Sequence, residues 1–81
     1  MIKLNKSVRV LEDVVEKLER KIDELQEKID AIEENAEDHG RELTEKEEER
    51  IAAIEEQMEE YQSELDDVEN ALSYIREWAD L

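Results

Sequence analysis

The fold of this chain is predicted by residues 51–79, which read IAAIEEQMEEYQSELDDVENALSYIREWA. Apolar residues recur in this stretch at spacings that alternate between three and four without a break. They are Ile51, Ile54, Met58, Tyr61, Leu65, Val68, Leu72, Ile75 and Ala79. Such a heptad repeat is typical of a helix that packs one narrow apolar seam against another helix.

The N-terminal half carries a second seam with the same repeat. Its residues are Leu4, Val8, Leu11, Val15, Leu18, Ile22, Leu25, Ile29, Ile32 and Ala36. When the heptad positions are written a to g, the a positions of this half are Val8, Val15, Ile22, Ile29 and Ala36, and the others of this seam are d positions; in the C-terminal half the a positions are Ile51, Met58, Leu65, Leu72 and Ala79. In the N-terminal half, β-branched residues fill most a positions and leucine fills most d positions. This arrangement also suits a parallel two-stranded coiled coil, which therefore remains an alternative.

Between the two seams, the sequence carries a stop signal and a start signal for helices. Gly40 is the only glycine, and it fits the left-handed residue that follows a helix end. Thr44 and Glu47 have the spacing of a capping box at a helix start. The heptad phase also shifts here, since the first register would place Arg50 rather than Ile51 at an a position. One continuous helix remains possible, because a glycine in mid-helix costs only about 1 kcal/mol.

These signals predict an all-α chain that folds as an antiparallel helical hairpin, a coiled coil of two helices. A single domain over residues 1–81 is expected, with helix 1 over about 6–39, a turn at 40–44 and helix 2 over about 45–80. The register that a short turn closes pairs Ile32 with Ile51 beside the turn and Leu4 with Ala79 at the open end.

The same register predicts which residues flank the seam. The e positions bring mainly like charges together, and the pairs are Glu12 with Glu69, Gln26 with Glu55, and Glu33 with Glu48. The g positions are weakly polar and partly apolar, and the pairs are Ser7 with Trp78, Val14 with Ala71, Lys21 with Glu64, and Lys28 with Gln57. The two edges of the hairpin are therefore expected to differ in charge.

An apolar patch is predicted near the open end of the hairpin. Its residues lie off the a/d seam, and they are Val10, Val14, Ala71, Tyr74 and Trp78. We expect this apolar patch to be an oligomer interface that a second copy buries, which gives a homodimeric four-helix bundle. The alternative is a binding surface for a foreign partner.

Charge restricts the possible partners. The formal net charge is −16, from 27 acidic and 11 basic residues, which excludes direct binding to nucleic acid or to an anionic membrane surface. A basic protein is the partner that this charge favours. There is no cysteine and no segment apolar enough to span a bilayer, so a cytoplasmic location is expected.

The predicted partner-binding surface is a set of acids on helix 2, called here the predicted acidic face. Its members are Glu49, Glu56, Glu59, Glu60, Asp66 and Asp67. Acids one helical turn apart lie about 5–6 Å from each other, a spacing similar to that of phosphates along a nucleic-acid strand. No catalytic residue, metal ligand or cofactor is predicted, because His39 is the only histidine and no catalytic motif surrounds it.

The run SELDDVENALSYI at residues 63–75 resembles small acidic helical proteins encoded by bacteriophages and mobile elements. The resemblance implies a bacterial host cell and, for some such proteins, inhibition of host defence systems, including restriction and CRISPR. Two hypotheses follow. In the first, the chain is a non-enzymatic inhibitor that mimics DNA and binds a basic, nucleic-acid-binding host protein. In the second, it is a structural or adaptor coiled coil that mainly oligomerises.

Overall fold

A computed structural model describes residues 5–79 as two long helices that pack against each other. Helix α1 is Asn5–Asp38 and helix α2 is Glu45–Ala79, and no strand occurs within these residues. The hairpin measures 62 × 17 × 14 Å. The prediction that the chain doubles back is confirmed, and the alternative of one continuous helix is wrong.

The core of the hairpin is the heptad seam. Its buried residues are Leu18, Leu25, Ile29 and Ala36 on α1, and Leu65 and Leu72 on α2. The other seam residues between Val8 and Ile75 are half-buried. Two helices cover each other along one stripe only, so most of the seam keeps some contact with solvent. For the same reason, the a and d positions are the most buried and the outward positions are exposed.

The first helix ends in a Schellman motif at Gly40. Gly40 has φ +60°, a left-handed conformation that costs other residues free energy. Its amide donates to the carbonyl of Glu37 at 2.9 Å, and the amide of Arg41 donates to the carbonyl of Ala36 at 3.1 Å. These two bonds satisfy carbonyls that the helix end would otherwise leave unpaired.

The second helix begins with the capping box that the sequence predicts. The amide of Glu47 donates to Oγ1 of Thr44 at 3.1 Å, and the amide of Thr44 donates to Oε1 of Glu47 at 3.0 Å. Arg41 adds a two-point contact, with Nη1 at 2.7 Å from Oε1 and Nη2 at 3.3 Å from Oε2 of Glu47. The Glu47 side chain is only 16% exposed. Glu47 therefore joins the start of α2 to the residue that follows Gly40.

The pKa of Glu47 is lowered from 4.5 to about 2, chiefly by the hydrogen bond from Arg41 and then by the bond from the Thr44 amide. A lowered pKa in the folded state stabilises the fold fully above about pH 4.5, and this stabilisation is lost as the pH falls toward 2. We expect Glu47→Gln to be less stable than wild type at pH 7 and the difference to vanish between pH 4.5 and 2. Urea unfolding followed by circular dichroism measures both.

Glu45→Gln is the matched control for this prediction. It removes one negative charge from the same first turn of α2, and no hydrogen bond or ion pair of Glu45 is found among residues 5–79. A difference between wild type and Glu47→Gln that stays constant down to pH 2 would show that the Arg41 contact does not stabilise the turn.

Some predicted features lie outside the described residues. They are the pairing of Leu4, the end of helix 2 at about residue 80, and the two ends of the 1–81 domain. The side chain of Ala79 is likewise not described. Over residues 5–79, neither helix has a stretch both long and apolar enough to cross a membrane.

Candidate functional site

The predicted e-position pairs are brought together in the structure. Each of the three e-position pairs lines one shallow depression between the helices: Glu12 with Glu69, Gln26 with Glu55, and Glu33 with Glu48. On the same edge, Nη2 of Arg76 lies 3.9 Å from Oε2 of Glu12. These shared depressions agree with the predicted register, which places the e and b positions on one side, the g and c positions on the opposite side, and the f positions on the backs of the helices.

One broad side, formed by the e and b positions of both helices, carries most of the net negative charge. We call it the anionic side. Its thirteen acids are exposed and face only two basic residues, Arg9 and Arg76. The acids are Glu12, Glu16, Glu19, Asp23, Asp30, Glu33 and Glu37 on α1, and Glu45, Glu48, Glu55, Glu59, Asp66 and Glu69 on α2.

The opposite side, formed by the g and c positions, has balanced charge, and we call it the neutral side. It carries five acids and five bases, all exposed. The acids are Glu24, Asp38, Glu60, Glu64 and Asp67, and the bases are Lys17, Lys21, Lys28, Lys46 and Arg50. The negative charge of the chain is therefore segregated to one side and to the outward f positions, rather than spread evenly around the hairpin.

The depressions on the anionic side combine an apolar floor with an acidic rim. The depression nearer the turn is lined by the apolar Ile29, Ile51 and Met58 together with acids that include Glu33 and Glu55. The depression nearer the open end places Val15 and Leu72 between acids of both helices. A lysine or arginine from another protein can pack its aliphatic stem on such a floor while its charged end meets the carboxylates.

Few carboxylates are neutralised within the hairpin. Between residues 5 and 79, ion pairs form only from Arg41 to Glu47 and from Arg76 to Glu12. The second is 3.9 Å long and well exposed, so it contributes little. Nearly all carboxylates of the anionic side therefore form no ion pair within residues 5–79 and can bind a cationic group of another molecule.

The six residues of the predicted acidic face are all exposed, but the register divides them among three surfaces. Glu59 and Asp66 belong to the anionic side. Glu49 and Glu56 occupy f positions on the back of α2. The remaining two, Glu60 and Asp67, lie on the neutral side. The acids of α1 were absent from this prediction, although the heptad positions of both helices, read together, would have identified them.

The apolar patch lies on the neutral side at the open end. Val10, Tyr74 and Trp78 are 59%, 63% and 60% exposed, the large hydrophobic side chains that stand out as exposed among the described residues. The rings of Tyr74 and Trp78 are in contact, with centroids 6.4 Å apart. Val14 is half-buried and Ala71 is exposed. By the heptad register, all five predicted interface residues fall at c and g positions, and within this set the contact that the structure describes is the one between Tyr74 and Trp78.

The chain matches no protein-family model, no curated protein and no solved structure.

The candidate binding residues among residues 5–79 form open surfaces. Nδ1 of His39 lies 2.7 Å from the carbonyl oxygen of Asn35, so this imidazole helps to cap the last turn of α1. No group of three or more potential metal ligands occurs among residues 5–79. The arrangement suits binding through charge on one side and through apolar contact on the other.

Proposed function

We propose that this chain is a non-enzymatic binding protein whose anionic side occupies the nucleic-acid-binding groove of a basic protein. The observation that carries the proposal is the density of carboxylates on that side, of which only Glu12 forms an ion pair within residues 5–79. Thirteen of them follow helices of 34 and 35 residues, which at 1.5 Å per residue is one carboxylate per about 4 Å of length. Phosphates along one DNA strand are spaced by about 3.4 Å in the same direction.

The shape of the hairpin also supports DNA mimicry. A rod 17 × 14 Å in cross-section can lie along a groove that accepts a nucleic-acid strand or duplex, and its acidic rims follow the rod on both helices. The resemblance to phage and mobile-element proteins suggests the class of target, a host defence protein that binds nucleic acid in a bacterial cytoplasm. The proposed role is therefore inhibition by competition for that protein's nucleic-acid site.

A capture experiment followed by competition tests this function. Immobilised chain is incubated with a bacterial lysate, and bound proteins are eluted with a salt gradient and identified. Each captured protein is then bound to a fluorescent DNA duplex, and free chain is titrated in while anisotropy is measured. We expect elution between about 0.2 and 0.6 M salt, since interactions with phosphate-like charge weaken steeply with ionic strength, and displacement of the DNA by the chain.

Two results would refute the proposal. One is retention of the captured protein above 1 M salt, which would indicate apolar rather than ionic binding. The other is a captured protein whose DNA binding is unchanged at saturating chain.

A structural or adaptor role is the second candidate, and the exposed apolar patch favours it. Isolated hydrophobic side chains on a surface are ordinary, whereas a cluster with two aromatic rings marks an interaction site. In this role, the patch is buried by a second copy in a four-helix bundle, and the acids serve solubility. Loss of function on replacing Trp78, with no effect of replacing acids on the anionic side, would favour this candidate.

A further inference from the structure

The neutral side is long and balanced enough in charge to be covered by another hairpin. With dimensions of 62 × 17 Å, it presents on the order of 1,000 Å², close to the ~800 Å² per partner of a standard interface. Its five acids and five bases allow close approach of an identical surface, which the anionic side forbids through repulsion. The apolar patch occupies its open end.

The charges on the neutral side are also ordered from one helix to the other. In the middle of the hairpin, α1 presents Lys17, Lys21 and Lys28. At the same height, α2 presents Glu60, Glu64 and Asp67. Near the turn both signs reverse, since α1 ends with the acid Asp38 while α2 begins with Lys46 and Arg50. At equal height the two strips carry opposite charges at Lys17 and Asp67, at Lys21 and Glu64, and at Asp38 and Lys46. The one like-charged position is Glu24, at the height of Glu60, so attraction between the strips outweighs repulsion.

We propose that a second copy docks on the neutral side about a two-fold axis parallel to the long axis of the hairpin. In this arrangement, α1 of one copy lies on α2 of the other at the same height. Lys21 then faces Glu64 of the second copy, Asp38 faces its Lys46, and the two apolar patches meet at the same end. The proposal deepens the four-helix bundle named above by fixing the buried surface and its symmetry.

The other two-fold axis that brings these surfaces together is disfavoured by charge. An axis across the helices would lay α1 on α1 and α2 on α2 in opposite directions. The three lysines would then face their own copies, the three acids would do the same, and each apolar patch would meet the polar turn end. Like charges that face each other directly across an interface repel and lower the affinity of that arrangement.

Charge reversal tests which surface is buried. Wild type is expected to be a dimer at micromolar concentration by sedimentation equilibrium. Lys21→Glu/Lys28→Glu places two acids on the neutral side of each copy and is expected to weaken dimerisation about 30-fold or more. Lys6→Glu/Arg20→Glu makes the same change in charge at the outward f positions of the same helix and is expected to leave the dimer intact.

A mixing experiment guards against misfolding of the reversed variant. Glu60→Lys/Glu64→Lys reverses the complementary strip on α2, and it is expected to be a weak homodimer that forms a strong heterodimer with Lys21→Glu/Lys28→Glu. The proposal would be overturned if wild type stays monomeric at 100 μM. It would also be overturned if Lys21→Glu/Lys28→Glu and Lys6→Glu/Arg20→Glu weaken dimerisation equally. Neither result bears on the anionic side, whose proposed partner is tested separately.

A distance measurement tests the axis. The chain has no cysteine, so Asn35→Cys and Ser7→Cys each provide a unique site for a spin label, one at the turn end and one at the open end. A two-fold axis along the rod predicts distances of about 20 Å or less between copies at both positions. The crossed axis predicts about 40 Å at each, because α1 rises by 1.5 Å per residue on either side of its centre, and that result would overturn the orientation.

Discussion

Leu65→Ala is expected to reduce the free energy of unfolding by about 2–5 kcal/mol, which is the usual cost of removing a buried leucine side chain. Leu65 is 5% exposed, in the middle of α2, and the predicted register pairs it with Leu18, which is 7% exposed. A small domain of this length has a total stability of about 4–12 kcal/mol. The substitution is therefore expected to remove a substantial share of the total stability of the chain.

Urea unfolding followed by circular dichroism at 222 nm measures this effect, at one fixed protein concentration because the chain is proposed to dimerise. Ser63→Ala, two residues away at an exposed outward position, is the control and is expected to change stability by less than about 0.5 kcal/mol. A Leu65→Ala variant as stable as Ser63→Ala would show that this layer of the seam is not packed as described.

Reversal of four acids on the anionic side is expected to have the second large effect, on binding rather than on stability. The variant Glu16→Lys/Glu33→Lys/Glu59→Lys/Glu69→Lys changes the rims of the two depressions lined by apolar residues. Each lost exposed ion pair is worth up to about 1 kcal/mol, and each introduced lysine adds repulsion from the basic partner. We therefore expect affinity for the captured DNA-binding protein to fall about 30- to 1,000-fold, measured by the anisotropy competition.

The matched control changes net charge by the same amount at outward f positions. Asp13→Lys/Glu27→Lys/Glu49→Lys/Glu56→Lys reverses four acids on the backs of both helices, which are exposed but lie outside the anionic side. We expect a loss of less than about 5-fold, due to the weaker long-range field. An equal loss in the two variants would mean that net charge, not the anionic side, determines binding.

Most of the fold could be predicted because it depends on local signals and one repeat. The heptad spacing of apolar residues identifies both helices, and Gly40 with Thr44 identifies the turn through backbone conformation and capping. The contact of Arg41 with Glu47 was not predicted. It depends on the path of the four residues between Gly40 and Glu45, where the sequence has no periodic pattern to fix side-chain positions.

The candidate binding surface was predicted less well than the fold. The acids of the predicted acidic face were chosen along α2 alone, so residues that point in different directions, such as Glu59 and Glu60, were placed together. The anionic side becomes apparent only when the outward positions of both helices are assigned through their register. The apolar patch was easier to predict, because tryptophan, tyrosine and valine off the seam stand out in so polar a chain.

The turn at Gly40 joins the two helices at one end only. Thermal opening of the hairpin therefore begins at the opposite end, where Val10 and Trp78 stand exposed. Any molecule that binds these side chains also holds the fraying ends together, so occupancy of the apolar patch and resistance of the chain to proteases are expected to rise in parallel. The lifetime of the protein in the cell would then depend on whether a partner occupies the apolar patch.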